Sequence, residues 1–171
     1  MKKTALFEYH NSNSNNIISF SGYALPVFYK SILDEHHAVR KNAGLFDVSH
    51  MGQIIVSGPA AEKFIQIVTT NDVSKLNYGQ AQYSAICNDD GFIIDDIIVY
   101  KLRSGFMLVI NAFNVDGKYN WLKSKQFDGV NIANESSDIS MIAVQGPKSK
   151  RIIQKIIQND ISNLKFYDFI E

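Results

Sequence analysis

Only one cysteine, Cys87, occurs in the 171 residues, which excludes an internal disulfide framework and a cysteine-built metal cage. It reads as a half-buried strand thiol. A prevailing charge is missing too. Lysine plus arginine and aspartate plus glutamate number 17 each, and no like-charge run suggests a nucleic-acid or membrane-surface partner. No apolar run approaches membrane-spanning length. The opening "MKKTALFEYH" has a basic pair with no apolar stretch behind it, unlike a secretory signal, so a cytoplasmic chain is the simplest expectation. The glycine spacing of phosphate-cradling loops is absent, as are a nucleophile elbow and a Walker loop.

What is present is a foldable chain. Hydrophobic residues make up 46% and charged residues 20%, enough for one good core or two small domains. The polar tract "NSNSNN", residues 11 to 16, reads as a solvated turn. "SILDEHHAVRKNAGLF" reads as a helix with Ser31 as its N-cap, Asp34 three residues later and Gly44 as its stop. "QIIVSGPAAEKFIQIV" and "MIAVQGPKSKRIIQKI" share one design: a strand, Gly-Pro, then an amphipathic helix, with Pro59 and Pro147 in the first helical turn. The predicted apolar stripes are Ala61, Phe64, Ile65 and Val68 in one, and Ile152, Ile153, Ile156 and Ile157 in the other. Between them "QAQYSAIC" and "FIIDDIIVYKL" flank "NDDG", a hairpin signal. Asn114 can cap a helix over "VDGKYNWLKSKQF". From Gln53 to Asn134 the predicted order is β-α-β-β-β-α-β, an antiparallel sheet with two helices on one face. The fold class is α+β with a ferredoxin-like unit.

Within that hairpin, "GFIIDDIIVY" sets Asp95 and Asp96 in a β-branched run that reads as a strand with both faces largely covered. Successive strand side chains point to opposite faces, so the two carboxylates diverge, and a dry face would penalise one heavily. A loop of two or four residues makes paired residue numbers sum to 181 or 179. Either register puts Tyr83, Asp96, Ile98 and Tyr100 on one face and Asp95 on the other. A three-residue loop would reverse this. Two further clusters are weaker. His36 and His37 are adjacent on the predicted helix and diverge by about 100°, so no metal centre is expected. "FDVSHMG", residues 46 to 52, groups Asp, Ser and His but reads as a tight structural loop.

The segments "FSGYALPVFY", "EHHAVRKNAGLFDVSHMG", "TNDVSKL", "GFIIDDIIVY", "VINAFN" and "MIAVQGPKSK" occur in that order. Together they resemble the successive N-terminal blocks of the glycine cleavage T-protein family, the tetrahydrofolate-dependent aminomethyltransferases. The resemblance implies an enzyme that takes the aminomethyl group from the lipoyl arm of H-protein, releases ammonia and passes the one-carbon unit to tetrahydrofolate. It implies no metal. The key acid maps to Asp96, and Met51, Tyr83 and Asn111 map to positions near folate; the shared strand face adds Ile98 and Tyr100. Asp95 is assigned to structure.

The same resemblance implies an incomplete first folate-binding domain formed by residues 1–52 and 136–171, with residues 53–135 as the inserted ferredoxin-like unit. Tyr23 stands where family members commonly carry Trp. Members also continue well beyond the residue matching Glu171, with segments that supply a tyrosine, a glutamate and an arginine to the folate site. No measurable transfer activity of the chain alone, and self-association or poor solubility through an apolar edge of Phe166, Tyr167, Phe169 and Ile170, are the corresponding expectations. Alternatives are a non-catalytic folate-binding module, an iron–sulfur assembly folate protein, or the folate domain of an oxidase.

Overall fold

Hydrophobic periodicity between Gly52 and Asn134 becomes the element order that it predicts. The computed structural model describes residues 1–171. Its elements begin with α1 (Phe7–Asn13), β1 (Ile17–Phe20), β2 (Tyr23–Pro26), α2 (Ile32–Lys41) and β3 (Gly44–Asp47). There follow β4 (Gly52–Ser57), α3 (Ala61–Val68), a short 3-10 turn (Val73–Lys75), β5 (Ala81–Cys87), β6 (Ile93–Leu102) and β7 (Gly105–Ile110). The chain then forms α4 (Val115–Ser124), β8 (Asn131–Asn134), β9 (Ile142–Gln145) and α5 (Ser149–Ile153). Two compact units result: residues 1–50 with 140–164, and residues 51–139 with 165–171.

In the second unit the sheet order is β5-β6-β7-β4-β8, every neighbouring pair antiparallel. Without the edge strand β5, this is the ferredoxin-like order. The predicted stripe of α3 is buried throughout. It packs with Leu122 of α4 against Ile54, Val56, Ile97, Val99, Leu108 and Ile110, which share one sheet face. Asn114 caps α4 as predicted, accepting from the Gly117 N–H at 3.2 Å. Strand β6 departs from the expectation. Its burial alternates, with Asp95, Ile97 and Val99 buried while Asp96 is exposed. The reason is that both helices cover one face only.

Residues 51–52 and 136–139 fall in this unit rather than in the first domain, to which the resemblance assigned them, and so do the terminal residues 165–171. They lie along the start of β5, where the Ala81 N–H donates to Tyr167 O at 2.8 Å and the Phe169 N–H donates to Gly79 O at 2.7 Å. Phe169 also stacks edge-on against Tyr100, with ring centroids 5.4 Å apart.

The first unit holds two antiparallel pairs, β1-β2 and β3-β9. Ser31 caps α2 as predicted, accepting from the Asp34 N–H at 3.3 Å. Three expectations fail. Asn11 to Asn13 are helical, because α1 runs to Asn13; their polarity marks a solvated helix end instead of a turn. Pro59 and Pro147 precede the N-cap residues Ala60 and Lys148 and so lie outside their helices. The second isoleucine stripe is not buried, since α5 ends at Ile153 and Ile156 is 74% exposed.

Under this unit His10 bridges Asp47 and Tyr29, at 2.8 Å to Asp47 Oδ2 and 2.7 Å to Tyr29 Oη. Burial alone would push the Asp47 carboxyl up, but hydrogen bonds from Ser49 and His10 outweigh it and hold the carboxyl at about 2. Burial raises the Tyr29 phenol, which keeps its O–H available to His10.

Two predictions follow from this packing. Phe64→Ala should destabilise the chain by about 3–5 kcal/mol and Ile156→Ala by no more than about 0.5 kcal/mol, read from urea unfolding; equal losses would contradict the burial pattern. A depressed folded pKa contributes stability above the unfolded value that disappears as pH falls through the folded one. Stability should therefore decline between pH 3.8 and about 2, and Asp47→Asn should flatten that limb while lowering neutral-pH stability by about 1–3 kcal/mol.

Candidate functional site

Register decides which side chains meet on the face of the second unit that the helices leave uncovered. The hairpin closes with a three-residue loop, Asp89 to Gly91, in which the Asn88 N–H donates to Phe92 O at 2.9 Å and Gly91 takes a positive φ of 84°. That loop length alone would bring Asp95 onto the face of Tyr83. A β-bulge reverses it. Cys87 pairs with Ile93 but Ile86 pairs with Asp95, leaving Ile94 as the extra residue. Beyond the bulge the sum is 181: Ala85 faces Asp96, Tyr83 faces Ile98 and Ala81 faces Tyr100.

The carboxylate of Asp96 is held from both sides. Tyr83 Oη donates to Oδ2 at 3.0 Å, and Asn111 Nδ2 donates to Oδ1 at 2.8 Å. Asn111 stands one residue past the end of β7. Ile98 lies beside this group, paired with Tyr83 on one side and Val109 on the other. Met51 immediately precedes Gly52, which pairs with Ile110, so it stands at the same end of the sheet as Asn111. Tyr100 is four residues along β6 from Asp96, about 13 Å at strand rise, and is engaged with Phe169. The structure brings Tyr83, Asp96 and Asn111 together and leaves Tyr100 apart.

The expectation that both faces of this strand are largely covered needs correction at the two carboxylates. Asp96 is exposed and Asp95 is the buried member. Asp95 Oδ2 lies 2.6 Å from Lys118 Nζ of α4, with side-chain exposures of 9% and 6%. Asp95 also accepts from the Asn111 backbone N–H at 3.0 Å and from Asn111 Nδ2 at 2.9 Å. Lys118 completes the circuit by donating to Asn111 O at 2.9 Å. Sequence reasoning missed Lys118. Its signal was available: it lies three residues after Val115 and four before Leu122, a cation inside an apolar helical stripe.

Gln53 shares the face of Asp96, paired with Val109. It is wholly buried, and both polar atoms of its amide lack a hydrogen-bond partner. A cavity of about 650 Å³ in the first unit contains none of the residues expected at the site; it is lined by Leu25 to Lys30, faces of α2, and Gly44 to Asp47. No group of three or more His, Cys, Asp or Glu side chains is placed to hold a metal ion, and no helix is long and apolar enough to cross a membrane.

The model of the GCVT N-terminal domain family matches residues 6–171. The chain belongs to this family. It is 45% identical over 170 residues to an aminomethyltransferase of Halothermothrix orenii, covering 99% of this chain and 48% of that protein. It is 48% identical over 171 residues to an aminomethyltransferase of Thermoanaerobacter pseudethanolicus, covering 99% and 46%. The crystal structure of the glycine cleavage system aminomethyltransferase T from Bartonella henselae matches with a TM-score of 0.86 at 31% identity, covering 98% of this chain and 46% of that one. This GCVT-family chain therefore spans about half the length of the relatives it matches. The α+β fold with an inserted ferredoxin-like unit is that of the family.

The hydrogen bond to Asp96 raises the Tyr83 phenol above its ordinary value of 10.0, with burial and the nearby charges adding to it. Asp96→Asn should move the Tyr83 titration downward, as followed by tyrosine-selective NMR. An unmoved titration would mean that the two side chains do not meet in solution.

Proposed function

We propose that this chain provides the N-terminal half of a glycine cleavage aminomethyltransferase, with Asp96 as its acid–base residue. The reaction takes the aminomethyl group from the lipoyl arm of H-protein, releases ammonia and forms methylenetetrahydrofolate, in the cytoplasm. The observation that carries this reading is the presentation of Asp96. Its carboxylate is exposed, both of its oxygens are engaged, and it stands next to Ile98 on the sheet face opposite the two helices.

Tetrahydrofolate, as co-substrate, supplies the nitrogen atoms that accept the one-carbon unit. The residues present suit its flat, hydrogen-bonding ring. Ile98 and Met51 offer apolar contact, and Tyr83, Asn111 and Asp96 offer donors and acceptors. The buried Gln53 amide, without a partner on the same face, adds a group of the kind that buried hydrogen-bonding ligands satisfy. Asp96 would take or orient a proton at the reacting nitrogens and stabilise positive charge as it develops on the transferred unit. Asn111 and Tyr83 would hold it in one orientation meanwhile. A fixed carboxylate needs no reorganisation when the charge appears, which is the physical advantage of holding it from two sides.

In a chain extended to the length of its relatives, Asp96→Asn should lower single-turnover transfer by about 10²–10⁴-fold and change tetrahydrofolate affinity much less. Ammonia release from aminomethylated H-protein gives the rate, and equilibrium binding gives the affinity. Full activity in Asp96→Asn would overturn the assignment.

A further inference from the structure

Asp95 and Lys118 form an ion pair whose side chains are both more than nine-tenths buried. Burying two charges is a weak way to stabilise a fold, because desolvation offsets most of the attraction, and apolar replacements of similar volume often do as well. The pair does, however, have a geometric output. Asp95 accepts both the backbone N–H and the side-chain amide of Asn111, and Lys118 donates to the carbonyl of the same residue. Three polar groups of Asn111 are thereby fixed from beneath the sheet. Its amide nitrogen, pinned by Asp95 Oδ1 at 2.9 Å, delivers its other proton to Asp96 Oδ1 at 2.8 Å.

We infer that the Lys118–Asp95 pair is a positioning device that acts through Asn111 to set the carboxylate of Asp96. The inference rests on the reading of Asp96 given above only for its catalytic consequence; the geometric part stands without it. Asp95 and Lys118 touch neither substrate nor the reacting atoms in this account. They orient a residue that does.

The test uses two variants. Lys118→Met leaves Asp95 buried without its cation, which can itself impair folding. The double variant Asp95→Asn/Lys118→Met removes both charges and keeps the fold testable. The first readout is independent of catalysis: the Tyr83 titration in the 171-residue chain, which reports how closely Asp96 approaches. The inference expects the folded double variant to move it downward, in the direction of Asn111→Ala and Asp96→Asn. A Tyr83 titration left at its wild-type position in the folded double variant overturns the inference. The second readout is methylene transfer in the extended chain. There the double variant should lose about 100-fold in kcat, the scale of an ångström-sized misplacement, with a smaller rise in KM for tetrahydrofolate. Adding it to Asp96→Asn should cost nothing further, whereas fully additive losses would mark a merely structural role and overturn the inference. If the titration moves while Asp96→Asn remains active, positioning is supported and the catalytic reading of Asp96 fails.

Discussion

A lysine on a helix and an aspartate on a strand, both out of water, govern how the rest of the second unit is assembled. Lys118 must meet Asp95, because either charge left alone at that depth would be strongly unfavourable. That requirement fixes the rotation of α4 on the sheet more tightly than apolar contacts can, since Leu122 and Val115 would tolerate small slides. The apolar stripe supplies attraction and the ion pair supplies registration. Asn114 adds a second constraint at the helix start. It adopts a left-handed backbone (φ 53°) and caps Gly117 three residues on, so α4 begins within one turn of the point where Lys118 must reach the sheet.

The two adjacent carboxylates of β6 show how one strand can hold the same chemical group in two environments. Asp95 faces the layer beneath the helices, where charge–charge forces are weakly screened and a cation is compulsory. Asp96 faces the other way, where water and a ligand can reach it. Only about 3.3 Å of strand rise separates them, yet one is buried beside a cation and the other is exposed. Asn111 connects the two layers because it has left the regular ladder at the end of β7, and its amide can straddle both.

Much of this was readable from sequence. The β-α-β-β-β-α-β order, the Ser31 and Asn114 caps, and the stripe from Ala61 to Val68 follow from periodicities of two and 3.6 residues and from cap chemistry. Tyr83 and Asp96 sharing a face was also anticipated, although the hairpin reaches that arrangement differently. Its three-residue loop shifts the parity, and the bulge at Ile94 shifts it back. Neither is visible in hydrophobic pattern, because "NDDG" is compatible with several loops and Ile94 looks like any other β-branched strand residue. Lys118 was missed for a related reason. Pattern reading treats lysine as a surface residue, and only its interval from Val115 and Leu122 marks it as inward-facing. The stripe from Ile152 to Ile157 misled in the opposite direction, since apolar spacing does not require the helix to continue past Ile153.

The bulge bears on how this hairpin can change length over evolutionary time. Ile94 occupies a place in β6 that no residue of β5 opposes, so a lineage could lose it and still pair Ile86 with Asp95 and Ala85 with Asp96. Loss of Ile97 or Val99 from the same strand would turn every later side chain over and carry hydrophobic residues into solvent. Single-residue gaps among related chains should therefore gather between Asn88 and Ile94 and be missing from the stretch that follows, where the spacing between carboxylate and helix has no slack.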